Sequence, residues 1–350
     1  MHSTIYKYIV ISITKRILIM KSRNLEIDTL RGIACILLVA YHVIGSSGVN
    51  GLKISDGFYR DINDVLAYLR MPLFTFLSGI VYAYRPFESD AKSFLLKKAR
   101  RLLIPMLIVG TIFVLLQAIT SGANSGIANW YLLHIKPVAH FWFIESLFLL
   151  FILIVALEKI HLLDNLNTFL LVLAVMIILY VSPIQSNYFS FSGFLYLSPY
   201  FLIGMGMLRY KIIGKVNQRV SLMLALLVTI PFLLIYTGDL PMFARRSLPS
   251  LIIGSISCIT LLSIGLKSGV LARIGMFSYS IYLFHVFFTA SSRILLNKMG
   301  IFQLELVFAI SLIFGSLGPI AVDVILGKVN FGRVFFLGKS PLKNYIPQSI

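Results

Sequence analysis

The chain is poor in charge and in cysteine. Charged residues make up 13% of its 350 positions, and only Cys35 and Cys258 supply thiols. Both cysteines lie in apolar segments without ligand spacing, which excludes a disulfide framework and argues against a metal centre. No polar stretch is long enough to fold as a separate soluble domain, and no internal repeat is evident. We therefore expect one membrane-embedded body with no bound metal.

Apolar residues are abundant instead. They form 58% of the chain, and the mean hydropathy is +0.91, a balance typical of polytopic α-helical membrane proteins. Long apolar runs recur along the whole length, and each is long enough to cross ~30 Å of hydrocarbon. The sequence predicts an all-α fold with about ten transmembrane helices, over residues 30–48, 63–84, 102–120, 141–158, 166–182, 192–208, 220–237, 248–266, 272–292 and 303–326.

The positive charges are distributed unevenly between the loops. The net charge is +18, but the basic residues lie in short segments between spans, so no nucleic-acid partner is expected. When the N-terminus is placed inside, cytoplasmic segments hold about three times as many Lys and Arg residues as the outer loops do. We expect both termini to be cytoplasmic, with an N-terminal cytoplasmic or interfacial segment (1–27), a membrane domain (28–328) and a cytoplasmic tail (329–350).

The first span carries two ionisable residues that are eleven positions apart, Arg31 and His42. Eleven residues return to nearly the same face of a helix, and they separate the two side chains by roughly 16 Å along its axis. Ionisable groups within a span are costly and usually functional. The pair predicts a cationic group near the inner surface and an imidazole deeper in the protein, on one interior face.

Four ionisable residues are predicted to share one depth, in the outer half of the membrane: His42, Arg70, Glu145 and His285. A single buried histidine is more often a hydrogen-bonded packing residue than a catalytic one. Four such groups at one level are harder to explain by packing, because each costs a few kcal/mol in lipid. We expect them to line a shared polar cavity.

A basic run precedes the third span and comprises Lys97, Lys98, Arg100 and Arg101. The cytoplasmic bias of Lys and Arg explains much of this cluster. Four cations in five positions beside the Arg31 end of the first span also suit phosphate groups, because Arg binds phosphate as a fork and Lys as a point charge.

Five segments of the chain resemble motifs of the acyltransferase 3 family of integral membrane acyltransferases, and they follow one another in the order that the motifs have in that family. They are 28–34 together with His42, the Arg-Met-Pro segment 70–79, the basic run with Pro105 (97–105), the His-Phe-Trp-Phe segment 140–145 and the Ser-Tyr-rich segment 275–285. The resemblance covers most of the chain.

This resemblance implies transfer of an acyl group, often acetyl, from cytoplasmic acyl-CoA to a hydroxyl of a glycan or another acceptor. It also implies that His42 activates that hydroxyl and that Arg31, Arg100 and Arg101 help to hold the donor. Acyl-CoA would be a co-substrate, and no cofactor would be bound permanently. A surface glycan or a lipid-linked sugar is the expected acceptor, and the bacterial inner membrane is the expected location.

Chemical reasoning assigns the remaining candidates. Arg70 would stabilise the oxyanion that forms at the thioester carbonyl, and Glu145 would orient a histidine or neutralise Arg70. His285 with Tyr282 would hold the acceptor or the thioester. We assign Trp142 and Tyr282 to acceptor binding, and Lys97 and Lys98 to donor binding with the arginines of their run.

Two other classes remain open at this point. A transporter or flippase of an envelope precursor would use intramembrane charges to bind its substrate or relay protons. A structural subunit of an envelope assembly would not need four ionisable groups at one depth. The oligomeric state does not follow from the sequence.

Overall fold

A computed structural model describes residues 24–120, 130–213 and 216–342. Across these ranges the chain is built of α-helices, short 3₁₀ turns and a π turn over Gly332–Phe336, and it has no strand beyond one isolated bridge. The helices are α1 (Leu25–Ile44), α2 (Phe58–Val65), α3 (Ala67–Tyr84), α4 (Ala91–Ile119), α5 (Trp142–Lys159), α6 (Leu166–Val181), α7 (Phe191–Arg209), α8 (Gln218–Thr237), α9 (Leu248–Ile264), α10 (Gly269–Met276), α11 (Ser278–Lys298) and α12 (Leu304–Leu326).

The structure confirms an all-α polytopic membrane protein. Seven segments of the described chain are long and apolar enough to span a membrane: α1, α2 with α3, α4, α5 with its preceding turn, α7 with its preceding turn, α8 and α12. The pair α10 and α11, bent by 82°, would make an eighth. The two remaining predicted spans coincide with shorter apolar helices, α6 and α9. The count of ten and the cytoplasmic side of the termini therefore stay predictions.

The first helix begins earlier than hydropathy predicts, at Leu25 rather than at residue 30. Asn24 caps it, because its Oδ1 accepts hydrogen bonds from the amides of Glu26 (2.9 Å) and Ile27 (3.2 Å). Glu26 and Asp28 occupy the first turn, where a carboxylate is favoured by the helix dipole. A hydropathy window discounts these polar residues, although they are good helix starters.

Close helix packing depends on small residues. A Cβ on Gly79 of α3 would lie 2.0 Å from the carbonyl oxygen of Phe201, and one on Gly204 of α7 would lie 2.1 Å from that of Phe76. The two backbones can approach each other only because both positions lack a side chain, which is how many membrane helices associate. This contact places α3 between α7 and α1.

Two further contacts fix the ends of α1. At its start, the Thr29 hydroxyl accepts a hydrogen bond from the amide of Ser268 (3.1 Å), which ties α1 to the start of α10. At its end, the Gly45 carbonyl accepts hydrogen bonds from Arg60 Nη1 (2.9 Å) and Asn63 Nδ2 (3.1 Å) of α2. The chain bends at Phe277, between α10 and α11, so that α11 also packs along α1.

Candidate active site

A cavity of about 1300 Å³ opens beside the C-terminal end of α1. Its wall is built by α1, α2, α3, α4, α7, α11 and α12, by the loop that follows α1, and by the first turns of α5 and α9 with the segments that lead into them. Four residues that the sequence proposes for the site line this cavity: His42, Arg70, Trp142 and Tyr282. Side chains from positions far apart in the sequence thus meet at one void.

Three imidazole rings meet at the cavity. The ring centroid of His42 lies 4.7 Å from that of His285 and 5.5 Å from that of His140, and the latter two lie 4.9 Å apart. We call these residues the histidine cluster. His42 and His140 line the cavity, whereas His285 is fully buried behind them.

The hydrogen bonds of His285 indicate which of its ring nitrogens carries the proton. Its Nδ1 lies 2.8 Å from the carbonyl oxygen of Ile281 and 3.0 Å from that of Tyr282. Because a carbonyl can only accept, Nδ1 carries the proton and Nε2 holds the free lone pair. That Nε2 atom and both ring nitrogens of His140 are buried without a partner among the described residues. A cluster with unused donors and acceptors can take up a proton or hydrogen-bond a ligand.

The turn that carries His140 is held by Tyr282. The Tyr282 hydroxyl donates a hydrogen bond to the His140 carbonyl oxygen. This bond occupies the hydroxyl, so that Tyr282 positions a member of the cluster, while its ring contributes to the cavity wall. Trp142 follows two residues later and faces the same cavity.

Arg70 is buried with only neutral contacts. Its Nη1 donates to Asn63 Oδ1 at 2.6 Å, and its guanidinium lies 4.1 Å from the ring centroid of Tyr41. Stacking on an aromatic ring and one amide contact hold the fork in place without neutralising its charge. Arg70 therefore presents a positive charge to the cavity that also receives His42.

Glu145 lies beside the cavity rather than in its wall. One carboxylate oxygen accepts a hydrogen bond from the Ser190 hydroxyl, and the other is buried without a partner in the described part of the chain. Neither interaction proposed for it from the sequence, an ion pair with Arg70 or a hydrogen bond to a histidine, is formed. Its position supports the turn before α7 more directly than the histidine cluster.

The five residues proposed for donor binding lie at the other end of the molecule. Arg31 pairs with Asp28 (Nη1 to Oδ1, 3.3 Å). Lys98 places its ammonium 4.0 Å from the Phe151 ring centroid, and Arg101 donates to the Leu337 carbonyl (3.0 Å).

Lys97 and Arg100 have different surroundings from Lys98 and Arg101. Together with Asp90, Lys92 and Ser93, they line a separate depression of about 350 Å³ near the start of α4. Arg100 Nη2 also donates to Ser340 Oγ at 3.2 Å. One helical run thus divides its charges between a packed interior and an open surface.

The cavity does not extend to this basic end. Along the face of α1 that joins His42 to Arg31, its lining stops at Leu38, and the next residue on that face, Cys35, is fully buried. None of the five proposed donor residues contributes to the cavity wall. A passage from Arg31 to His42, along the face of α1 that carries both residues, is therefore closed between Leu38 and Arg31 in this conformation.

A model of the acyltransferase domain, that of the acyltransferase 3 family, matches residues 24–322. The chain belongs to the acyltransferase 3 family. No curated protein and no solved structure matches it. Membership supports a membrane O-acyltransferase, and it lends no support to a transporter or to a structural subunit.

In this acyltransferase, sequence reasoning missed one histidine. His140 is the first residue of the His-Phe-Trp-Phe segment 140–145, but it precedes the fourth predicted span, where a histidine has no desolvation cost to signal its importance. Only the turn over Ala139–Phe141 carries it back against α11. The available signal was its position directly before an aromatic run that enters the membrane.

Proposed function

We propose that this acyltransferase moves an acyl group, acetyl first among the candidates, from acyl-CoA to a hydroxyl of a surface glycan or of a glycan precursor. The observation that supports the proposal best is the position of the His42 imidazole, on the wall of a large cavity and within 5.5 Å of two other imidazole rings. Acyl transfer to an alcohol needs a general base at such a place.

In the proposed reaction, His42 takes the proton of the acceptor hydroxyl while the oxygen attacks the thioester carbonyl. An oxyanion forms at that carbonyl and then collapses as the carbon–sulfur bond breaks. The imidazolium returns its proton to the departing CoA thiolate, so that the products are an ester and CoA-SH. A well-placed base of this kind contributes roughly 10²–10⁴ to the rate.

Arg70 is our candidate for stabilising the oxyanion. Its guanidinium lies in the same cavity wall as His42 and has no carboxylate partner among the described residues. A preorganised cation in a water-poor site stabilises developing negative charge far more than it would in water. We assign His285 a positioning role, because its Nε2 can accept a hydrogen bond from His42 after a small rotation of either ring.

We propose that the phosphates of acyl-CoA bind at the basic end, on Arg31, Lys97, Lys98, Arg100 and Arg101. The pantetheine arm would then run along α1 toward His42. Since that path is closed at Cys35, donor binding must separate the side chains packed around this residue. With the termini inside, as the charge bias predicts, the acceptor would reach His42 from the outer face of a bacterial inner membrane. No permanently bound cofactor is needed for this chemistry.

The decisive experiment uses the purified full-length protein in lipid nanodiscs with radiolabelled acetyl-CoA. Release of CoA-SH and appearance of labelled ester or acetate are measured, for the wild type and for His42→Ala. We expect activity only in the wild type. His161→Ala is the matched control, since this exposed histidine lies away from the cavity. Absence of donor cleavage with acetyl-, succinyl- and longer acyl-CoA would overturn the proposal.

The acyl group and the acceptor are tested in cells. The surface glycan of a deletion strain is compared by mass spectrometry with that of its parent. A mass difference that corresponds to one acetyl group per repeat is expected, and a succinyl difference would change the donor assignment. Glycans of equal mass in both strains would exclude a surface glycan as the acceptor.

A further inference from the structure

The wall of the cavity carries more positive charge than its own carboxylates can neutralise. Among the described residues that line it, the basic ones are Lys53, Arg60, Arg70, Arg245 and Arg293, and the acidic one is Asp64. This imbalance is a property of the cavity itself, because the basic run of α4 lies elsewhere.

The one carboxylate is already engaged. Asp64 binds Arg60 through both of its oxygens, one of them 2.9 Å from Nε, and Arg60 also donates to the Gly45 carbonyl. This pair therefore fixes the junction between α2 and the end of α1. It leaves no carboxylate in the described wall for the other cations.

Three arginines form no ion pair at contact distance in the described parts of the chain, and for Arg70 the nearest carboxylate that acts on it is Asp64, which is already paired with Arg60. Arg70 contacts an amide and a tyrosine ring, as described above. Arg245 lies over the ring centroids of Trp142 (4.7 Å) and Tyr196 (4.2 Å). Arg293, on α11 two turns beyond His285, makes no hydrogen bond or ion pair with a described residue. Aromatic stacking orients a guanidinium and keeps its N–H groups available for another ligand.

We infer that the acceptor is an anion, which carries a carboxylate or a phosphate that these three arginines bind while its hydroxyl faces His42. The inference rests on the proposed function. Arg70 is buried, Arg293 is half-buried and Arg245 is exposed. A buried cation is costly unless an anion joins it, and arginine recognises carboxylate and phosphate through paired N–H donors. Acidic sugars and phosphate-linked sugars have this chemistry, and neutral sugars do not.

The cavity assigns this anion to the acceptor rather than to the donor. Arg293 and Arg245 lie on its wall, whose α1 lining runs from Leu38 to Gly45, toward the end opposite Arg31. The proposed phosphate-binding residues of the donor contribute nothing to this wall. Arg293 lies eight residues beyond His285 on α11, roughly 12 Å along the helix axis. The His285 ring centroid is 4.7 Å from that of the base, His42, so a spacing of about one sugar ring separates this part of the histidine cluster from Arg293.

The test compares acceptors that share hydroxyl groups and differ in charge. Methyl glucoside, methyl glucuronide and glucose 1-phosphate are supplied, with labelled acetyl-CoA, to the full-length protein in nanodiscs of zwitterionic lipid. We expect an acidic sugar to be acetylated about tenfold faster than the neutral one at limiting concentration. The carboxylate and phosphate arms show which anion is preferred, and higher salt should reduce the preference.

Arg293→Gln is the test variant, and Arg219→Gln is its control, because Arg219 is exposed at the start of α8 outside the cavity. Arg293→Gln should abolish the preference for the acidic sugar and leave both the rate with methyl glucoside and the KM for acetyl-CoA within twofold. Arg219→Gln should keep the preference.

Thermal stabilisation of the protein by each sugar, measured without donor, gives a readout that does not depend on catalysis. Preferential stabilisation by an acidic sugar, lost in Arg293→Gln, supports the anion site even if acetyl-CoA is not cleaved, in which case the proposed function alone fails. Equal effects of neutral and acidic sugars in both assays overturn the inference. So does a change in Arg293→Gln that is confined to the KM for acetyl-CoA, since the arginine would then serve the donor.

Discussion

The ionisable side chains near the two ends of α1 differ in the partners that the protein provides for them. At the His42 end, both ring nitrogens of His140 and Nε2 of His285 are buried without a hydrogen-bond partner among the described residues, and Arg70 and Arg245 are held by aromatic rings rather than by carboxylates. At the Arg31 end, the protein itself satisfies most of the basic residues, through Asp28, the Leu337 carbonyl, Ser340 and the Phe151 ring. The first end is organised to receive a ligand in the conformation described. The second must exchange internal contacts for ligand contacts.

This difference has an energetic consequence for catalysis. Groups that are already oriented and unpartnered lose little on binding and act at once on a transition state. A basic residue that must first break its contact with a carbonyl or an aromatic ring gains less net free energy when it binds a ligand. Substitutions at the His42 end should therefore affect kcat most, and substitutions at the Arg31 end should affect donor binding.

The largest effect is expected for His42→Ala. Loss of a general base should lower the rate of acyl transfer by about 10²–10⁴-fold, measured as labelled ester formed per amount of folded protein. The exposed His161→Ala should retain the wild-type rate. Transfer by His42→Ala within twofold of the wild type would remove the contrast between the two ends, because the cavity would then contain no essential base.

The next largest effect is expected for His140, a second member of the histidine cluster. His140→Phe keeps a ring of similar size but removes both buried nitrogens, which lack partners in the described structure. We expect kcat to fall by about 10- to 100-fold with little change in either KM, because the variant could no longer hydrogen-bond the imidazolium that His42 becomes during the reaction.

A merely structural role for His140 predicts a different result. In that case His140→Phe would keep kcat, because the ring packing is preserved. The shape of the pH–rate profile is a second readout, since it should change only if His140 interacts with the titrating base.

A smaller effect is expected at the basic end. Arg101→Ala should raise the KM for acyl-CoA by about tenfold and change kcat by less than threefold, because a phosphate contact would be lost but not a reacting group. Arg101→Lys should recover part of the affinity, and Arg219→Ala serves as the exposed control. If only the apparent affinity for the acceptor changes, the donor assignment of the basic run is wrong.

The smallest effect concerns Glu145, which the structure sets apart from the cluster. Glu145→Gln keeps the hydrogen bond with Ser190 and should lower activity by less than about threefold. Ser190→Ala should lower the melting temperature more than the rate. A hundredfold loss of kcat in Glu145→Gln, with an unchanged melting temperature, would instead place this carboxylate in the reaction.

Hydropathy and residue spacing predicted the apolar helices and the side chains that share a helix face, because both properties depend on the local sequence. Helical periodicity places Arg31 and His42 on one face of α1 wherever that helix lies. Depth along each span predicted that His42, Arg70, Glu145 and His285 would line one cavity. His42 and Arg70 line it, whereas His285 is buried behind His42 and Glu145 lies beside the cavity. The start of α1 was missed by five residues, because capping by Asn24 is a local polar effect that a hydropathy window does not measure.

The members of the site that were missed depend on contacts between distant segments. His140 reaches the cluster through a turn held by the Tyr282 hydroxyl, a contact across 142 positions. The path along α1 is closed at Cys35 because this residue packs against neighbouring helices. Neither feature has a signature in the periodicity of a single segment.

The sequence by itself determined the class of the protein, its helical content and the family to which it belongs, because apolar length and motif order are properties of the chain. Only the tertiary structure decided which polar groups share a void and which are satisfied internally. The physical reason is that the pairing of a charge depends on what packs against it. In this fold, polar groups at the His42 end line a large cavity, whereas most basic residues at the Arg31 end have partners within the protein.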